Sequence, residues 1–278
     1  MPELPEVETV RRGLEPKLVG ARITSLKQHR GNLRLPLPKR FAERVVGRKV
    51  DALERRAKYI VARLDDGTAW LMHLGMSGRM MLLSHNEAGA TPLDKHDHVV
   101  FDTDKGWQIR FRDPRRFGLM LLLDQGQTES HKLLKDLGPE PLDKSFTGAV
   151  LTAALKGKKT SIKAALLDQR VVAGIGNIYA CEALFMAGIS PKRLAHTVHG
   201  ERATKLVAAI KKVLKQAIKA GGSSLRDHRQ PNGELGYFQK RFLVYDREAR
   251  PCANGCKDTV KRFTQGGRST FWCSRCQR

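Results

Sequence analysis

The chain has 278 residues, with 51 Lys and Arg against 28 Asp and Glu, for a formal net charge of +23. At 41% hydrophobic it is too apolar for a disordered basic tail; it has room for one large domain or two, and its cationic surface points to a polyanion, nucleic acid first. Three glutamates in the first eight residues, with no apolar run near the ~18 residues of a membrane span, exclude a signal peptide and a spanning helix and predict a soluble, intracellular protein.

The chain opens Met-Pro-Glu-Leu-Pro-Glu-Val-Glu. Loss of the initiator Met1 would expose the secondary amine of Pro2 beside Glu3 and Glu6. An α-amino group titrates at roughly pH 7.7–8.0, so near neutrality it is partly unprotonated and nucleophilic. Such an amine attacks a carbonyl-like carbon to give a Schiff base. The competing reading is that Pro5 and the acids simply start a helix. Val7, Val10, Leu14 and Leu18 do fall at helical spacing and stop at Gly20, which predicts a helix over residues 5–19.

The next hundred residues alternate as strands. Val61 to Leu64, the Asp66-Gly67 turn and Trp70 to Leu74 form one hairpin; Val99 to Phe101, Asp104-Lys105-Gly106 and Trp107 to Arg112 form another. Ile109 and Phe111 share one face, and Gln108, Arg110 and Arg112 the other. This half is predicted to be an antiparallel β-sandwich. Pro139 and Pro141 then interrupt the pattern and read as a hinge.

Beyond the hinge the pattern is helical. Leu206, Ile210, Val213, Leu214 and Ala217 make an apolar stripe, flanked by Lys205, Lys211, Lys212, Lys215 and Lys219 on a solvated face. Gly221-Gly222-Ser223-Ser224 ends the helix, and a polar stretch to Gly236 reads as a mobile loop.

Four of the five cysteines lie in the last 27 residues as Cys252-x3-Cys256 and Cys273-x2-Cys276, with sixteen residues between the pairs. Paired cysteines at this separation are the zinc-ribbon pattern, with Val260 to Thr264, Gln265-Gly266-Gly267 and Arg268 to Trp272 as the connecting hairpin. Four thiolates leave no open coordination position, so the predicted zinc ion is structural. His85-x-Glu87 with Pro251-Cys252 faintly echoes a zinc deaminase, but the cysteine spacing is one residue too long and a second pair is left over. Cys181, among Ala180, Ala183 and Leu184, reads as a small buried apolar residue.

Six landmarks in order resemble the formamidopyrimidine-DNA glycosylase family: Pro2-Glu3-Leu4-Pro5-Glu6-Val7, Arg56-Ala57-Lys58-Tyr59, His73-Leu74-Gly75-Met76-Ser77-Gly78, Asp113-Pro114-Arg115-Arg116-Phe117-Gly118, Gly174-Ile175-Gly176-Asn177-Ile178-Tyr179 and the cysteine cluster. The resemblance implies an α+β multidomain fold: an N-terminal antiparallel β-sandwich with flanking helices (1–136), a hinge (137–148), a helix–two-turn–helix domain with a lesion loop (149–236), and a four-cysteine zinc finger (237–278).

It also implies an activity, removal of oxidised purines from duplex DNA followed by β,δ-elimination at the abasic site. Pro2 is the implied nucleophile, Glu3 the acid/base, Glu6 its partner, Lys58 a phosphate ligand at the lesion, and Arg268 the clamp on the flanking phosphates. Asn177 and Tyr179, after a Gly-x-Gly turn at a helix start, are implied phosphate contacts, a role suited to free amides and the helix dipole. His73, His98, Lys163 and Tyr237 are further implied DNA contacts. Met76, Arg115 and Phe117 are the implied void-filling residues, and filling the hole offsets part of the stacking lost on base extrusion. The loop over 221–236 is the implied cover for the everted base. The implied partner is damaged double-stranded DNA, bound by a monomer in the bacterial cytoplasm, with one structural zinc and no small-molecule cofactor.

Two other readings compete. An endonuclease VIII-type enzyme for oxidised pyrimidines usually has Gly where this chain has Leu4 and lacks the Met/Arg/Phe set. A non-catalytic zinc-ribbon DNA-binding protein leaves Pro2, Glu3 and Lys58 unexplained. The first knuckle departs from the family in having three intervening residues rather than two.

Overall fold

The computed structural model describes residues 2–224 and 230–278, so part of the expected lesion loop lies outside the described residues. Helix α1 (Leu4–Leu18) sits one residue earlier at each end than its periodicity predicts, because Glu3 and Val19 are extended and cap it. Strand β1 (Ile23–Gln28), the short α2 (Phe41–Val45) and strands β2 (Val50–Arg56), β3 (Tyr59–Leu64), β4 (Ala69–His73) and β5 (Arg79–Ser84) follow. Then come α3 (His85–Ala90), β6 (Asp97–Thr103), β7 (Trp107–Arg112), β8 (Leu119–Leu123) and α4 (Gln127–Ser130).

The strands form two antiparallel four-stranded sheets, ordered β1-β6-β7-β5 and β2-β3-β4-β8. Both predicted hairpin turns join neighbouring strands, β3 to β4 and β6 to β7. One apolar core unites the sheets: Val99, Phe101, Ile109 and Phe111 from the first meet Ile60, Trp70, Met72 and Met120 from the second. Val7, Val10, Leu14 and Leu18 close this core with the apolar stripe of α1.

The outer face of β7 departs from the alternation argument. Arg110, placed by sequence among the polar residues, is buried. Its guanidinium donates to Gln108 Oε1 and to the backbone carbonyls of Ala88, Thr91 and Pro92. The segment after α3 folds over this face, so a polar residue becomes interior by hydrogen-bonding to backbone.

The second half contains α5 (Gly148–Leu155), α6 (Ile162–Leu167), α7 (Asn177–Met186), α8 (Glu201–Lys219) and the hairpin β9 (Lys261–Gln265) and β10 (Arg268–Trp272). Cys181 and Phe185 of α7 pack with Val244, Cys252, Val260, Phe271 and Cys273. Cys181 is thus the small buried residue its neighbours implied. Glu182, one position on, is buried and accepts the backbone amides of Leu243, Val244 and Tyr245 at 2.8–3.2 Å. Burial pushes its carboxyl above the ordinary range, and those amides oppose the shift.

The chain divides into one unit of Met1–Lys135 with Ala220–Tyr237 and another of Asp136–Lys219 with Phe238–Arg278. In this grouping residues 220–237 go with the N-terminal unit and the cysteine-bearing segment with the helical one. The first association has a local cause. Ser223 bonds to Glu6, Leu82 donates its amide to Pro231 at 3.0 Å, and a Cβ on Gly13 would meet the Pro231 ring at 2.9 Å.

Candidate active site and nucleic-acid interface

At the start of α1, Pro2, Glu3 and Glu6 are all buried. The backbone amide of Glu3 donates to Glu6 Oε2 at 2.8 Å, half of a capping box that satisfies an otherwise orphaned helix-start donor. Glu6 Oε1 accepts the Ser223 amide at 2.9 Å and its hydroxyl at 3.4 Å. Gly222, at φ +78°, brings its backbone against Glu6, where a Cβ would lie 3.1 Å from Cγ. Two carboxylates at a helix N-terminus sit where the dipole favours negative charge. Both readings of the opening residues therefore hold: they start a helix, and that start presents two acids beside Pro2.

Lys58 is buried in the turn between β2 and β3, after Ala57 at φ +53°. His73 ends β4 directly opposite Tyr59, with the two rings 4.9 Å apart. Burial, then the charges of Lys58 and Arg34, pushes the His73 imidazole down to about 4, so it is neutral at pH 7. Burial also raises the Tyr59 phenol. The Gly75 amide donates to His73 Nδ1 at 3.0 Å.

The loops carrying Met76 and Arg115-Arg116-Phe117 meet backbone to backbone. A Cβ on Gly75 (φ +65°) would lie 2.3 Å from the carbonyl carbon of Phe117 and 2.4 Å from the amide nitrogen of Gly118. Beneath them Asp113, fully buried, accepts the Ser77 hydroxyl at 2.6 Å and the Gly118 amide at 2.8 Å. Ser77 Oγ in turn accepts the Arg115 amide at 3.2 Å. Arg116 is held at φ +56°, an uncommon conformation for a non-glycine residue that clusters at functional sites. Met76 is 38% and Phe117 43% exposed, with the Arg115 guanidinium 4.8 Å above the Phe117 ring. This scaffold spends its hydrogen bonds on holding two large apolar side chains in solvent, which core packing does not explain.

His98, an expected DNA contact, stands against the Asp113 loop. It is buried, with Nε2 2.9 Å from the Asp113 carbonyl oxygen, and supports the Asp113 loop from within. Burial lowers its pKa, leaving a neutral strut. Tyr237 is 53% exposed and donates its amide to Ala220 at the base of the 221–236 segment. The mobility expected for that segment falls partly on residues outside those described.

In the helical unit, Lys163 and Tyr179, expected as DNA contacts, are buried, and Asn177 is partly buried. Lys163 is 1% exposed; its Nζ donates to Thr270 Oγ1 at 2.6 Å and to the Ser269 carbonyl at 3.2 Å. Asn177 Nδ2 donates to the same carbonyl at 2.9 Å, while its Oδ1 is buried with no partner among the described residues. Tyr179 is buried against the Phe238 ring, 5.7 Å away. Lys163 and Asn177 therefore grip the hairpin one residue beyond Arg268, which is itself exposed after the Gly266-Gly267 turn.

The sulfur atoms of Cys252, Cys256, Cys273 and Cys276 lie within 4.8 Å of one another. Cys252 and Cys276 are 3.7 Å apart, and Cys256 and Cys273 3.5 Å. A tetrahedral ion with ~2.3 Å metal–sulfur bonds needs sulfur–sulfur edges of about 3.8 Å, so this donor set suits a thiophilic ion. Three intervening residues in the first knuckle do not prevent closure. Gly255, at φ +67°, lies within it.

Ser77, Asp113 and Gly75 lie inside the sequence motifs with nothing there to signal their roles, and Ser223 reads in sequence only as part of a helix end. Only the pairing of distant loops reveals these roles, although Asp-Pro after an apolar strand was a usable turn signal.

Comparison with known proteins agrees with these features. The family model for the formamidopyrimidine-DNA glycosylase N-terminal domain matches residues 1–120, and that for its H2TH domain matches residues 137–229. Proteins named formamidopyrimidine-DNA glycosylase from a Bradyrhizobium strain and a Ruegeria strain are 56% and 55% identical over 100% of both chains. Among solved structures, MutM (Fpg) from Thermus thermophilus is 39% identical with a TM-score of 0.86, covering 99% of this chain and 98% of that one. A Lactococcus lactis FPG mutant in complex with a Fapy-dG containing DNA is 32% identical with a TM-score of 0.90, covering 100% of both chains. With both family domains matched and close relatives aligned end to end, the chain belongs to the formamidopyrimidine-DNA glycosylase family.

Proposed function

We propose that this protein is a bifunctional DNA glycosylase and abasic-site lyase that removes oxidised purines, 8-oxoguanine and formamidopyrimidines, from duplex DNA. The observation that carries this reading is the pair of buried carboxylates, Glu3 and Glu6, held by the capping box of α1 beside Pro2. A carboxyl within hydrogen-bond reach of the nucleophile is what proton transfer at the reacting sugar requires.

In the proposed reaction the unprotonated Pro2 nitrogen attacks C1′ and the glycosidic C–N bond breaks, its electron pair leaving with the base. Glu3 protonates the ring oxygen as the sugar opens, giving an iminium ion on Pro2. A secondary amine makes this iminium permanently cationic, an electron sink for loss of the C2′ proton and expulsion of the 3′ phosphate. Loss of the C4′ proton and the 5′ phosphate follows, and water releases Pro2. Glu6, bonded to the Glu3 amide and to Ser223, holds Glu3 and the 220–224 segment in place. Lys58 and Arg268 are assigned to phosphates, and Met76, Arg115 and Phe117 to the void left by the everted base.

The four cysteines would hold one zinc ion, which when bound locks the Arg268 hairpin. The ion has no place in the chemical step, because four protein ligands fill its coordination. The protein is assigned to the bacterial cytoplasm as a DNA-bound monomer.

Incubation with an 8-oxoguanine duplex and borohydride should trap a covalent protein–DNA adduct. No adduct from protein whose N-terminus is shown by mass spectrometry to be free Pro2 would sink the reading. Preferential trapping on an oxidised-pyrimidine duplex would support the endonuclease VIII alternative instead.

A further inference from the structure

One imidazole joins two parts of the N-terminal unit. His73 closes β4 with its ring against Tyr59, and its Nδ1 accepts the amide of Gly75, the residue before Met76. A ring nitrogen that accepts an N–H has its lone pair there, so the single proton of the neutral ring is on Nε2. Among the described residues Nε2 has no hydrogen-bond partner. The second proton is excluded by burial and by the charges of Lys58 and Arg34.

We infer that His73 is a positioning residue that couples capture of the lesion-strand phosphate, through Nε2–H, to placement of the Met76 loop, through Nδ1. This rests on the DNA-lesion function proposed for the site. Gly75 is the point where the two void-filling loops touch, its backbone lying against Phe117 and Gly118 with no space for a methyl group. His73 also pairs with Leu119, the residue following Gly118, and its carbonyl oxygen lies 2.9 Å from where a Gly118 Cβ would stand. Any displacement of the imidazole is therefore transmitted to Gly75 and to both loops. Asp113, bonded to Ser77 and Gly118, ties those loops to each other. A phosphate bound at Nε2 aligns the ring, and the ring aligns Met76 and Phe117 for insertion.

Two amide substitutions separate the nitrogens. His73→Asn places an oxygen near the Nδ1 position and keeps the Gly75 bond while losing the Nε2 donor. His73→Gln places an amide nitrogen near Nε2 and loses the Nδ1 acceptor. Binding to a lesion duplex would be followed by anisotropy, and base unstacking by fluorescence of a neighbouring 2-aminopurine at saturating protein. His73→Asn should bind about tenfold more weakly, as for one lost hydrogen bond, yet give the full fluorescence rise. His73→Gln should bind within about threefold of the parent but lose most of the rise, because the loop is no longer held.

Identical behaviour of the two variants, or a full rise with His73→Gln, would overturn the coupling alone. A parent protein that binds but never unstacks the duplex would overturn the lesion function and the coupling together. Nitrogen-15 shifts of the parent's imidazole test the tautomer without any variant. A proton on Nδ1 refutes the inference, and a proton on Nε2 supports it.

Discussion

Substitution of Gly75 by alanine tests how tightly the two void-filling loops are joined. Gly75 adopts φ +65°, where an L-residue loses about 1 kcal/mol or slightly more. The added Cβ would also lie 2.3–2.6 Å from three backbone atoms of Phe117 and Gly118. Carbon contacts prefer about 3.5 Å or more, so one backbone must retreat by about 1 Å. That retreat is opposed by the β4–β8 ladder, which runs up to His73 and Leu119, and by the Gly118 amide bond to Asp113. Overpacking of this kind costs about 1–3 kcal/mol, and one weakened hydrogen bond about 1 more. The expected loss is therefore about 3–5 kcal/mol.

Gly106 supplies the control. It has φ +78° in the β6–β7 turn, and nothing lies within 4 Å of its Cβ position. Gly106→Ala should cost only the backbone component of about 1 kcal/mol. Urea unfolding of parent and both variants, followed by tryptophan fluorescence, measures the difference. If Gly75→Ala falls within about 0.5 kcal/mol of Gly106→Ala, the close approach of the loops does not constrain the fold and the reasoning fails.

Other outcomes follow from the same geometry. His73, with its folded pKa near 4 against an ordinary 6.5, binds fewer protons folded than unfolded between those values. Its contribution is therefore complete above pH 6.5 and is lost as pH falls towards 4, by about 3 kcal/mol in all. Urea midpoints at pH 7 and 4.5 should diverge more for the parent than for His73→Gln, and equal divergence would contradict the shift. Removal of the metal by a strong chelator, or Cys273→Ser, should expose the β9–β10 hairpin to protease and abolish borohydride trapping while leaving the N-terminal sandwich folded. An unchanged digestion pattern would refute a structural metal. Lys163→Met removes two hydrogen bonds from a charged donor but also a buried charge, so a net loss of about 1–2 kcal/mol is expected. Hydrogen exchange at Ser269 and Thr270 should accelerate and DNA affinity fall; unchanged exchange would show that Lys163 does not hold the hairpin.

Much of the fold was legible because its determinants are close in the chain. The apolar stripe of α1, the Asp66-Gly67 and Asp104-Lys105-Gly106 turns and the paired cysteines each depend on residues within a few turns or one hairpin. Side-chain environment was not legible in the same way. Arg110 sits in a clean alternating strand and reads as one of three polar residues on a shared face, yet the segment after α3 closes over it. Lys163 and His98 enter from the sequence only as implied DNA contacts, yet one is buried against the β9–β10 hairpin and the other beneath the Asp113 loop. Burial depends on what a distant segment covers, and strand period carries no record of that.

The same division runs through the candidate site. Sequence by itself determined the order of the parts: an amine, two acids and a helix start at one end, four thiols at the other, and two glycine-bearing loops between them. It did so because residue chemistry, backbone preference and short spacing are local properties. Only the tertiary structure decided that Ser223, 217 residues away, caps Glu6, and that Gly75 lies against Phe117 under the grip of Asp113. These contacts join segments remote in the chain, and their energy is gained only when the whole sandwich forms and excludes water from them.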